Sequence, residues 1–216
     1  MVLEKRVTSY RILVTTSHRP TQRIRSFVKD LASVLPNAVK INRGKATMRD
    51  LYYEAASIGA NRVVIVAGWK GNPGSINVYE PVEPPDMELK LIARLLLRGV
   101  RLSRETPGAQ RSYGTSSLGV YVESGSQELA VLADTLIRAF NAKLILDLER
   151  AHRVVDVVAV ISPGRDDYVA EIRFLCTGSG RQCGPLLRLA GVADNVSGYR
   201  LHRARAAGGE GAAGSS

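Results

Sequence analysis

Cysteine is nearly absent from this chain: Cys176 and Cys183 are the only two, and the three histidines, His18, His152 and His202, are scattered. Structural zinc requires four closely spaced thiolate or imidazole ligands. That set cannot be assembled here, so neither a metal nor a cofactor is expected. The cysteine spacing allows a disulfide, but for a cytoplasmic chain the expectation is two reduced thiols. Long apolar runs are missing as well. No stretch reaches the roughly 18 to 20 residues that span a bilayer. The opening MVLEKRVTSYR has no apolar core followed by a small-residue cleavage site. A membrane is therefore not an expected partner, and the cytoplasm is the expected address. No heptad pattern persists, which excludes a long coiled coil.

What is there describes a folded domain. With 216 residues, 45% of them hydrophobic and 23% charged, the chain is large enough to bury roughly 70% of its unfolded surface. It does not resemble a disordered polyelectrolyte. Lys and Arg outnumber Asp and Glu by 30 to 20, and the excess is lopsided. Through Lys70 there are thirteen basic and four acidic residues, a balance of +9, leaving about +1 for the remaining 146. Such a concentration points to an anionic partner. Most of these cations are arginine, whose planar fork suits bidentate phosphate contacts.

Hydrophobic periodicity organises the chain. RILVT (11–15) reads as a strand, and Thr21 as the cap of a helix whose apolar stripe is Ile24, Phe27, Val28, Leu31, Val34 and Leu35. Ala38 to Ile41 reads as a strand. Thr47 caps a second helix with an inner face of Met48, Leu51, Tyr52, Ala55 and Ile58, closed by Gly59. RVVIVAGW (62–69) is a strand buried on both faces and Ile76 to Tyr79 an alternating one; 88–98 fits both a strand and a helix and is read as a strand because its neighbours are extended. The second half repeats this grammar: a strand at Leu118 to Val122, a capped amphipathic helix over 124–140, a strand at Leu144 to Leu148, and a hairpin of Val154–Ile161 with Tyr168–Cys176 around PGRDD. The expected fold is α/β, with two similar halves divided near 99–115. The tail, AAGGEGAAGSS, is expected to be disordered.

The chemistry of nucleotide hydrolysis is not legible. GWKGNPGS (68–75) lacks the G-x-x-x-x-G-K-[ST] arrangement, and GSGRQCG (178–184) lacks G-x-G-x-x-G and follows a hairpin strand. Ser17 and His18 are adjacent, so on extended backbone they point apart, and no acid lies nearby to orient the imidazole. Asp166 and Asp167 sit where Asp favours turns. No catalytic residue, no enzymatic activity and no small-molecule substrate is expected.

Three basic loops remain. TTSHRPTQRIR (15–25) offers Ser17, Arg19, Thr21, Arg23 and Arg25 at a helix N-terminus, with Lys29 one turn on. NRGK (42–45) offers Arg43, Gly44 and Lys45, followed by Arg49. WKGNPG (69–74) offers Lys70, Gly71, Asn72 and Gly74. Trp69 could contact a base, although a lone tryptophan more often packs in a core. Each loop follows a strand, so an open parallel-type sheet would gather them along one edge. The bland alternative is three unrelated solvated loops.

At these residues the chain resembles the Brix-domain family of ribosome-biogenesis proteins, in the short archaeal stand-alone form. The resemblance rests on TTSHRPTQRIRSFVKDL (15–31), PNAVKINRGKATMRDL (36–51) and NRVVIVAGWKGNPGSINVY (61–79). It is close through about residue 105, with RQCGPLLRLAGV (181–192) resembling the family's C-terminal Gly-Pro segment. It implies a Brix domain over 1–205, with halves of about 1–99 and 115–205, ahead of a tail at 206–216. Each half would resemble the anticodon-binding domain of class II aminoacyl-tRNA synthetases. It further implies binding to precursor ribosomal RNA, alongside ribosomal or assembly-factor proteins, to assist pre-rRNA processing and subunit assembly without known catalysis. The rival expectation is a protein-interaction scaffold within a pre-ribosomal particle.

Overall fold

The computed structural model describes residues 10–202 except 124 and 166. The tail at 206–216, the side chain of His202 and Asp166 of the PGRDD turn lie outside the described residues. The chain alternates at first: β1 (Arg11–Thr16), α1 (Gln22–Val34), β2 (Ala38–Lys40), α2 (Met48–Ser57) and β3 (Ala60–Trp69). Two long antiparallel strands follow, β4 (Asn72–Pro81) and β5 (Leu89–Arg101), and then a 3-10 turn at Ser103–Glu105. The second stretch contains β6 (Leu118–Val122), α3 (Gln127–Phe140), β7 (Lys143–Leu144), β8 (Val157–Pro163), β9 (Ala170–Cys176), β10 (Arg181–Gln182), β11 (Leu186–Asp194) and β12 (Arg200–His202).

Local chemistry sets the helix ends. Thr21 caps α1 by accepting from the Ile24 N–H at 3.3 Å. Thr47 and Asp50 form a reciprocal capping box on α2. Ser126 caps α3, which ends on Asn141 in the left-handed region at φ 53°. Gly59 closes α2 at φ +66°, a conformation that favours a residue without Cβ.

All the strands belong to one mixed sheet, ordered β2-β1-β3-β4-β5-β11-β9-β8-β6-β7, with β10 and β12 pairing onto β9 and β11. From the β5–β11 seam the two sides read outward in the same sequence of roles. A run of antiparallel strands leads to a parallel trio, β3-β1-β2 on one side and β8-β6-β7 on the other. One core covers a single face, where Phe27 and Leu31 of α1 join Leu132, Leu136 and Phe140 of α3. The other face is closed by α2 over Leu13, Val63 and Ile65, and in the second stretch by Ile145, Ala151 and Val155 over Val158 and Val160. Strands β3 and β8 are buried on both sides, which explains their unbroken β-branched runs.

Several expectations are corrected. Met48 is exposed rather than part of the inner face of α2. The strand expected over Leu144–Leu148 shrinks to Lys143–Leu144, because Asp147 Oδ1 accepts from the backbone N–H groups of Glu149 and Arg150 and bends the chain. The region read as a divider, 99–115, is packed: Ser103 N–H donates to Asp30 Oδ2 at 2.8 Å, and Thr115 Oγ1 donates to Ser33 O at 2.7 Å. Cys176 and Cys183 form a disulfide rather than two thiols. The β9–β10 hairpin brings their Cα atoms to 5.6 Å, and Cys183 N–H donates to Phe174 O at 2.9 Å.

Candidate nucleic-acid interface

The direction of the strands decides where the basic loops go. Strand β1 runs parallel to both β2 and β3, so the carboxyl ends of all three lie on one edge of the sheet. In open α/β sheets that edge is where ligands bind. Loop 17–21 leaves β1 there, loop 41–46 leaves β2, and the β3–β4 turn closes beside them. Side chains tie the three together. His18 Nδ1 lies 3.3 Å from Gly44 O, which joins the first loop to the second. Thr21 Oγ1 donates to Gly71 O at 2.7 Å, which joins the first to the hairpin tip. Lys70 and Gly71 both have positive φ, 47° and 81°, and make the tight two-residue turn. His18 is therefore engaged with the neighbouring loop and not with Ser17.

The edge continues as a trough along α1. Three adjoining clefts of about 420, 420 and 450 Å³ run along it; Lys40 lines all three, Lys29 the first two, and Arg25 the last two. Arg19 and Gly44 stand at one end, and Arg104 and Arg111 join from the segment after β5. Arg104 Nη1 donates to Ser26 Oγ at 3.4 Å. The acid in the wall, Asp30, accepts the Ser103 N–H. No acidic residue occupies the first turn of α1, so its amide dipole adds to the positive potential there.

The expected site residues divide sharply. Arg19, Arg25, Lys29, Lys45 and Lys70 are exposed and, among the described residues, none pairs with a carboxylate. Ser17 is half-buried and its N–H donates to Val66 O. Gly44 has φ +54°, and Asn72 is exposed beside the turn. Gly74 is needed for close approach, since a Cβ there would stand 2.6 Å from Trp69 Cβ and 3.0 Å from Trp69 N.

Three arginines do not join the trough as free cations. Arg23 is gripped by Glu105, with a second bond from Nη2 to Oε2 at 3.0 Å and one to Val100 O at 3.3 Å. That hydrogen bond raises the Arg23 pKa and holds the Glu105 carboxyl below its usual range. Arg43 is buried at 7% exposure against Met48 Sδ, 3.8 Å from Nη2, and burial lowers its pKa. Arg49 bonds Tyr53 Oη and lines a separate cleft with Asp86 and Glu88. Of the two cations in the loop after β2, Lys45 is exposed and Arg43 is buried against Met48.

Lys40, Arg104 and Arg111 were not foreseen. Lys40 ends a strand too short to show alternation, and the two arginines come from a segment that reads as a boundary. Trp69, for which the sequence leaves both a core position and a base contact open, is 72% exposed at the hairpin tip.

No family model matches the chain. It is 34% identical over 183 residues to a protein of Aeropyrum pernix described as a probable Brix domain-containing ribosomal biogenesis protein, covering 85% of this chain and 97% of that one. A protein of Thermococcus kodakarensis with the same description is 46% identical over 94 residues, 44% of either chain. Among solved structures, a probable ribosomal biogenesis protein from Aeropyrum pernix superposes with a TM-score of 0.69 at 37% identity, covering 83% of this chain and 95% of that one. An archaeal Imp4-like protein, Mil, shares the fold with a TM-score of 0.59 at 20% identity, covering 85% and 99%.

Proposed function

Because the chain belongs to the Brix domain-containing ribosomal biogenesis proteins, we propose that it assists subunit assembly by binding precursor ribosomal RNA along the trough beside α1. The observation that carries this reading is the convergence of carboxylate-free cations from three separated loops on one sheet edge. Arg19, Arg25, Lys29, Lys40, Lys45 and Lys70 neutralise phosphates, with Ser17, Thr21, Gly44, Gly71, Asn72 and Gly74 shaping the backbone that approaches them. The fixed loops favour one RNA conformation over others, and unequal affinity is what shifts a folding population. No catalytic step is assigned. The setting is cytoplasmic, within a pre-ribosomal particle that also contains ribosomal or assembly-factor proteins. The mirrored strand order about the β5–β11 seam supports two related α/β halves, about 1–99 and 115–205 within a Brix domain of 1–205, each comparable to a class II anticodon-binding domain.

A different observation favours a second reading, a protein-interaction scaffold. Leu144, Leu146 and Val154 are 56%, 85% and 49% exposed at the β7 end of the sheet, far along it from the basic edge. Charge reversal at Arg25 and Lys45 separates the two. Retention of a pre-rRNA fragment by the full chain is lost if the trough is the working surface and unchanged if the β7 end is.

A further inference from the structure

We infer that Trp69 is a stacking platform for an unpaired RNA base, so that the basic edge selects single-stranded over fully paired RNA. This rests on the RNA reading of the trough and goes beyond it by naming the state of the nucleic acid. A tryptophan left 72% exposed at a hairpin tip forgoes the burial that normally holds it in place. The fold keeps it there by construction. Lys70 and Gly71 make a turn with two positive φ values, and Thr21 Oγ1 fastens the tip to the start of α1. Gly74 leaves no side chain to press on the Trp69 Cβ. Among the described residues the indole makes no ring or cation contact, and most of its surface meets solvent. Beside it stand the exposed Lys70, Gly71 and Asn72, which supply charge and backbone rather than the apolar surround of a protein-binding hot spot.

The opposite end of the trough repeats the arrangement. Tyr113, 82% exposed, sits with Lys29, Lys40 and Arg111 in the cleft at the far end of α1. The 13-residue α1, about 20 Å long, runs from the Thr21–Gly71 contact beside Trp69 to the cleft that holds Tyr113. Cations along a groove with aromatic rings at intervals are what a single strand requires. The phosphates follow the charge and the splayed bases stack. A duplex keeps its bases stacked on one another and offers the rings nothing.

Trp69 is the only tryptophan, so its emission reports the contact directly. The full-length protein is titrated at low salt with an oligouridylate and with a blunt RNA duplex of equal length. The single strand should quench the emission saturably. Trp69→Ala should weaken its binding by about fivefold or more, leave duplex binding unchanged, and be largely rescued by Trp69→Phe. Saturable binding of the single strand with unchanged emission, or equal losses for both probes in Trp69→Ala, overturns the stacking role while leaving the RNA reading intact. If neither probe binds, both fail. If Trp69→Ala instead abolishes capture of a purified assembly-factor protein with RNA affinity intact, the ring belongs to a protein interface and the inference is overturned.

Discussion

Replacing Arg25, Lys29 and Lys40 together by glutamine removes half of the six carboxylate-free cations on the basic edge. The expected consequence follows from counterion release. Six phosphate contacts give a slope of log affinity against log salt near −5, so raising salt from about 50 to about 200 mM weakens binding by about a thousandfold. Each basic contact deleted takes about one unit from the slope. The triple variant should therefore fall to a slope between about −2 and −3, and the same salt step should cost it only about 40-fold. All three side chains are exposed and, among the described residues, none is in a salt bridge, so thermal stability should stay within about 0.5 kcal/mol of the parent. Fluorescence anisotropy of a labelled pre-rRNA fragment across a salt series measures the slope, and a melting curve controls for folding. A variant with the parental slope and intact fold would refute the trough as the phosphate-binding surface.

Three further outcomes test the framework. Asp194 is 2% exposed. Burial alone would push its carboxyl up, but bonds from the Ser197 and Val196 N–H groups, Arg138 and Thr135 outweigh it and hold it below the usual range. Its contribution is thus complete above the unfolded value of about 4 and lost as pH falls through the lower native one. Asp194→Ala should cost about 3 kcal/mol in urea titrations at neutral pH and flatten the acid limb below about pH 4. Gly74→Ala must displace Trp69 backbone and should lower stability by about 1 to 3 kcal/mol, with a shifted tryptophan emission maximum. Replacing Cys176 and Cys183 by serine opens a link spanning seven positions and should cost about 2 kcal/mol by denaturant unfolding. Thiol titration of the native parent should find no free sulfhydryl.

Much of this architecture is legible in the residues. The stripe Ile24–Phe27–Val28–Leu31–Val34 is the buried face of α1, and the strand chosen for 88–98 is β5. The convergence of loops on one edge follows from strands separated by helices, because such connections run parallel. What was hidden depends on distant partners. Nothing local in NRGK says that Arg43 turns inward to Met48, or that Arg23 meets a glutamate 82 positions away. Strand β11 is not legible because Gly191 interrupts its apolar run; in the sheet its register slips on either side of Leu189. The sequence leaves Trp69 open between core and base contact, because exposure is decided by the hairpin beyond it and not by its neighbours.

The pairing of β5 with β11 shapes how the chain folds as it is made. The middle of the sheet is finished only after every element from β6 to β10 has been made, since β5 at Leu89–Arg101 waits for Leu186–Asp194. Until those residues leave the exit tunnel, the amino-terminal portion carries an open hydrogen-bonding margin, the kind that invites promiscuous pairing. Closure over so long a separation is slow compared with local helix formation. A nascent chain halted before residue 186 would therefore lack its keel rather than a fringe.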